Sequence, residues 1–123
     1  MRGQRLFVRP IETGDSDAIR AFLTANGSIS KVPACGLLAK LVGDLVGVMA
    51  MEIADDGLHV DDIVVARELR RKRIGRFLLD EAERLAQKID RDRLIVSDAR
   101  DAEAFLRRAG FEMENGMFVR RVR

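Results

Sequence analysis

The chain contains no tyrosine and no tryptophan, one cysteine, one histidine and two prolines in 123 residues. The solitary Cys35 excludes an intramolecular disulfide, and with His59 as the only imidazole it excludes an ordinary zinc site built from one copy of the chain. The missing tyrosine removes the phenol as a proton donor in any chemistry the chain performs. No apolar run approaches the roughly twenty residues that a bilayer-spanning helix needs. The opening MRGQRLFVRP also lacks the continuous apolar segment of a signal peptide. No membrane partner is therefore expected, and a reducing cytoplasm is the expected compartment. An excess of one charge is lacking too. Against 22 basic residues stand 20 acidic ones, so bulk electrostatics gives no argument for a nucleic-acid partner.

What is present is an apolar content of 47%, enough at this length for one core, and residues 1–123 are expected to form a single domain. Arg5 to Arg9 alternates as a first strand ended by Pro10, and the Thr13 to Asp17 cluster caps a helix running to about Ala25. Ile19, Phe22 and Leu23 are its buried stripe. Asn26 to Pro33 is rich in turn formers and forms a loop. Cys35 to Val42 and Leu45 to Ile53 flank Gly43-Asp44, a two-residue hairpin signal, with Cys35 expected as a small buried hydrophobe. Asp55-Asp56-Gly57 then turns the chain into a strand at Leu58 to Val65.

From Ile74 the apolar period becomes helical, with Ile74, Phe77, Leu78, Ala82, Leu85, Ala86 and Ile89 on one face. Arg93 to Ser97 is a short strand and Asp101 to Ala109 a helix closed by Gly110. Phe111 to Met113 and Met117 to Arg121 make a terminal hairpin around Asn115-Gly116. The order β-α-β-β-β-α-β-α-β-β predicts an α/β fold with a mixed, mostly antiparallel central sheet, since strands joined by helices can run parallel and hairpins cannot.

The junction between Val65 and Ile74 is the most informative stretch. It passes from a β-branched run to a helix through Arg67, Arg70, Arg71, Lys72, Arg73 and Arg76. Positive charge at a helix start opposes the macrodipole, so a compensating anion is expected there. The unpartnered N–H groups of the first turn and the cations together make a phosphate site. Pairing with Glu68, Asp80, Glu81 and Glu83 is the plainer account, a solvated helix start. Nucleic-acid binding is disfavoured by the near-neutral net charge and by the absence of interleaved aromatics.

Val65 to Leu79, reading VARELRRKRIGRFLL, resembles the acyl-CoA motif of the GNAT superfamily of N-acetyltransferases, Arg/Gln-x-x-Gly-x-Gly/Ala followed by an amphipathic helix. Arg70 and Gly75 match. Arg73 stands where the first motif glycine does, and Arg71 at a position that is often glycine. Near the C-terminus Ala102, Phe105, Gly110 and Phe111 match the closing helix and its Gly-Phe turn, whereas Ala99 replaces a common asparagine and Leu106 a common tyrosine general acid.

The resemblance implies the acyl-CoA N-acyltransferase fold, a sheet with helices on both faces, and acetyl-CoA as co-substrate. It implies a diphosphate held around Arg70, Arg71, Lys72, Arg73, Ile74, Gly75 and Arg76, and pantetheine along Ile63, Val64 and Val65. The acceptor is an amine, on a small molecule or a peptide, that attacks the thioester directly. Glu52 and Asp62 are the candidate bases, with Asp61 the alternative because alternation puts the two aspartates on opposite faces. Ser97, Cys35 or water replaces tyrosine as proton donor, and His59 is structural. Only about 25 residues separate the first two strands, room for one helix where the family fits two. The acceptor side is therefore open, and a homodimer partner or a macromolecular acceptor would complete it. The alternative from another class is a CoA-binding module of the same fold, with little catalysis, that acts by docking on a partner protein.

Overall fold

A computed structural model of the chain describes residues 6–70, 73–97 and 102–122. Seven strands form one sheet: β1 (Leu6–Pro10), β2 (Gly36–Leu41), β3 (Asp44–Ala54), β4 (Gly57–Val65), β5 (Arg93–Val96), β6 (Glu112–Glu114) and β7 (Met117–Arg121). Their order across the sheet is β1-β2-β3-β4-β5-β7-β6. Three helices, α1 (Ser16–Ala25), α2 (Ile74–Lys88) and α3 (Glu103–Arg108), are distributed over its two faces. Among the described residues the one parallel pair is β4 with β5, the two strands that α2 joins.

Turn chemistry sets the registers. Asn115-Gly116 makes the expected two-residue turn, both residues at positive φ (51° and 81°), with Glu114 opposite Met117. The β2–β3 turn differs from expectation by one residue. Val42 and Gly43 form it, at φ 52° and 86°, and Asp44 opens β3 opposite Leu41. The turn needs two left-handed residues in succession, and Gly43 supplies the second of them at no steric cost. Pro10 is likewise the last residue of β1, opposite Leu37, and not its terminator; β1 is an edge strand and tolerates a missing N–H.

α1 buries Ile19, Phe22 and Leu23, as its periodicity indicates. α2 buries Ile74, Leu78, Leu79, Ala82 and Ala86. Leu79 joins the expected stripe because the C-terminal hairpin covers that flank, where Arg120 of β7 reaches Asp80 at 3.2 Å and also pairs with Glu83. Phe77 leaves the core and is half-buried. α2 seats itself on β3 at Gly47, where an added Cβ would lie 3.2 Å from Ile74 Cγ2 and 3.2 Å from Leu78 Cδ1. Gly47→Val is therefore expected to lift the helix and destabilise the fold by about 1–3 kcal/mol, read as a lowered urea midpoint with unchanged slope. Cys35 is exposed and precedes β2, contrary to its expected burial; its carbonyl accepts the Met51 N–H at 2.9 Å.

β4 is irregular on both of its edges. Towards β3, Ala50 pairs with Asp62 but Met51 pairs with Val60, so Asp61 is the extra residue of a bulge in β4. Towards β5, the pairing extends only through Leu58, His59 and Val60.

Candidate functional site

β5 ends at Val96, opposite Val60, and β4 runs on from Asp61 to Val65 with no described partner on that edge. Along this free edge alternate residues present backbone N–H and C=O groups that an added extended segment can satisfy. β3 holds the opposite edge from Asp62 to Val65, with Asp61 bulged out of the pairing. Ile63 and Val65 open onto a groove of ≈ 1110 Å³ bounded by Arg70, Arg73, Gly75 and Phe77 and, from α3, by Phe105 and Arg108.

At the end of β4 the chain makes a single 3₁₀ turn over Arg67–Leu69, extends at Arg70, and enters α2 at Arg73. The helix start has no side-chain cap and no acidic residue in its first turn. Its first N–H groups are therefore available to an anion, in the field of Arg70, Arg73 and Arg76. Arg76 leans on Asp80 at 3.7 Å, and Asp80 is shared with Arg120, whereas the exposed Arg70 and Arg73 have no ion pair among the described residues. Arg70 Nε donates to Val65 O at 3.4 Å, which keeps its side chain along the end of the strand.

Arg73 has φ 65° and ψ 17°, the left-handed conformation that favours glycine. The family's motif glycine falls at this position, so the backbone keeps the glycine geometry although the side chain has changed. Such a conformation costs a non-glycine residue about 1–2 kcal/mol. Arg73→Gly is expected to raise stability by about 1 kcal/mol whereas Arg73→Ala, which keeps a Cβ, does not; paired thermal unfolding curves check this.

Ile63 and Val65, both expected from the sequence, line the groove. Ile74, Gly75 and Arg76 begin the helix that bounds it, and Val64 falls on the opposite face of β4 together with Asp62. Asp62 accepts a 2.5 Å hydrogen bond from Ser30 Oγ in the α1–β2 loop. Arg71 and Lys72 lie outside the described residues, as does Ala99. Ser97 is exposed and directly follows β5, so it flanks the opening one position beyond the Val60–Val96 pair, across from Asp61. Glu52 is exposed on β3 opposite His59.

The bulge changes the carboxylate geometry that strict alternation gives, because Asp61 has no partner on β3. Its carboxyl is pushed above the ordinary carboxylate range, first by desolvation and then by the negative charge of Glu52. His59 does find a carboxylate: Nε2–H donates to Asp56 Oδ1 at 2.8 Å around the β3–β4 turn and holds the Asp56 carboxyl below its usual range. Leu106, at the family's tyrosine position, is buried in the core.

Sequence reasoning missed Phe77, Asp80, Phe105 and Arg108 as groove residues. The i,i+3 spacings Phe77–Asp80 and Phe105–Arg108 were the available signal, since each pair shares a helix face. A further link was not readable from spacing. Arg67 N–H donates to Asn26 Oδ1 at 2.9 Å, and its guanidinium covers Gly27, tying the turn before α2 to the end of α1.

The profile of the acetyltransferase (GNAT) domain family matches residues 17–121, and the chain belongs to that family. Among solved structures it is similar to a GNAT-family acetyltransferase of Staphylococcus aureus, at 12% identity and TM-score 0.77, covering 97% of this chain and 100% of the other. The GNAT-family N-acetyltransferase YhbS of Escherichia coli, solved in complex with CoA, aligns at 18% identity and TM-score 0.77, covering 98% and 83%. The E. coli protein YhhK, described as a putative N-acetyltransferase bound to coenzyme A, aligns at 17% identity and TM-score 0.72, covering 95% and 98%. At these identities the likeness shows a shared fold. No curated protein sequence matches the chain.

Proposed function

We propose that the protein is an acetyl-CoA-dependent N-acetyltransferase. The observation that carries this reading is the edge of β4 from Asp61 to Val65, without a strand partner beside it among the described residues, opening onto a groove that ends at the uncapped, acid-free N-terminus of α2. An extended amide chain terminated by a diphosphate is complementary to both halves. CoA complexes of proteins with the same fold support the choice of nucleotide.

Acetyl-CoA supplies the activated acyl thioester. Ile63, Val64 and Val65 offer backbone to the pantetheine arm, while the α2 N–H groups with Arg70, Arg73 and Arg76 hold the diphosphate. The acceptor amine forms the new C–N bond as the C–S bond breaks, losing one proton while the departing thiolate gains one. Asp61, with Glu52 beside it, takes the amine proton, directly or through one water. Asp61 is itself exposed, and its raised affinity for a proton suits it to that task better than that of an unperturbed carboxylate. Ser97, across the opening, or a water returns a proton to sulfur.

A second reading, a CoA-binding module acting on a partner protein, is favoured by one observation: tyrosine is absent and Leu106, at its position, is buried. Calorimetric titration with acetyl-CoA, followed by thiol release across a panel of amines, separates the two. Binding with turnover supports the enzyme and binding without turnover the module. An absence of binding would refute both.

A further inference from the structure

On the acetyltransferase reading, we propose that the cavity between α1 and the loop after it is the acceptor site, and that it selects amines that also carry a carboxylate, an amino acid being the simplest. The cavity is ≈ 480 Å³, within the range of small-molecule sites. Arg20 and Thr24 of α1 and Ser28, Ser30 and Lys31 of the loop line it. Both charged residues among these are cations. Arg20 is partly engaged, with Nη1 3.0 Å from Asp17 Oδ1 at the surface, while Lys31 has no ion pair among the described residues.

One anion borders the cavity. Ser30 Oγ donates to Asp62 Oδ2 at 2.5 Å, and Asp62 lies on β4 between the bulged Asp61 and Ile63, which lines the CoA groove on the other side. Cavity and groove are thus linked through consecutive residues of one strand, Asp62 holding Ser30 of the one and Ile63 lining the other. The arrangement is bipolar: a carboxylate next to the transfer centre to receive an ammonium, and two cations with two hydroxyls beyond it to receive an anion. An amino acid has its two charges in that order. A diamine brings its second cation against Lys31 and Arg20, and an amino ester leaves them without a counter-ion.

The test measures acetyl-CoA binding by calorimetry, then kcat/KM by thiol release for the natural amino acids, their methyl esters and linear diamines. The free amino acids are expected to exceed their own esters by about tenfold or more, the worth of one charge-assisted contact, although the ester amine is the more readily deprotonated. Lys31→Glu, at an exposed position, is expected to remove most of that preference through KM while leaving acetyl-CoA affinity unchanged. Equal or faster transfer to esters or diamines overturns the acceptor proposal and leaves the acetyltransferase reading standing. No transfer to any amino acid also overturns it, and the calorimetry then shows whether the CoA site falls with it.

Discussion

Replacing Arg70 and Arg73 together by alanine is expected to weaken binding of CoA about 100-fold or more. Each guanidinium makes a charge-assisted hydrogen bond worth about 1.5–3 kcal/mol, and the groove is open to solvent, so the lower value applies to each. Two such contacts give about 3 kcal/mol, somewhat more than two factors of ten. Both side chains are exposed, so the fold does not depend on them. Acetyl-pantetheine, which has no phosphates, should bind wild type and variant alike. The wild-type affinity for CoA should also fall with added salt more steeply than that of the variant, because the lost interactions are ionic. A double variant that binds CoA as tightly as wild type would rule out a phosphate site at these two residues.

The second large effect is expected at the bulge. Asp61→Asn should lower kcat by about 10²–10³-fold, the usual contribution of a positioned general base, with little change in acetyl-CoA affinity. A pH profile gives the sign. Asp61 acts as a base only when ionised, and its proton affinity is raised, so the wild-type rate should climb with pH through a step above the ordinary carboxylate range. That step should vanish in the variant. Stability moves the other way. A carboxyl whose pKa is higher folded than unfolded costs stability once ionised, so the wild-type fold loses stability as pH rises through that window. Asp61→Asn should therefore be neutral or stabilising at neutral pH, which separates loss of catalysis from loss of structure. Full activity in the variant would reassign the base to Glu52 or Asp62.

How much of the fold and of the site is legible in the chain depends on the distance over which each feature is decided. The α1 stripe of Ile19, Phe22 and Leu23 and the Asn115-Gly116 turn depend on residues within one or two turns of one another, and the structure agrees with them. The β2–β3 turn lies one residue from its expected place because Val42, a poor left-handed residue, is held there by the register of strands on either side. For His59 the sequence indicates no carboxylate partner, yet Asp56 lies just behind it around a turn whose geometry only the folded hairpin fixes. Phe105 and Arg108 enter the groove because the fold brings Phe105 of α3 against Gly75 at the start of α2.

The sequence by itself determined the element order and the mixed, mostly antiparallel sheet. It also determined the strand–basic turn–helix junction that marks the family, because hydrophobic period, turn residues and charge are local properties of the chain. The tertiary structure decided where β5 stops along β4, which residue of β4 is expelled as the bulge, and that Ser30 comes to lie on Asp62 across a gap of 32 positions. Those outcomes depend on pairing between segments far apart in sequence. The free energy of such pairing is settled by the packing of the whole sheet and not by any stretch of residues read alone.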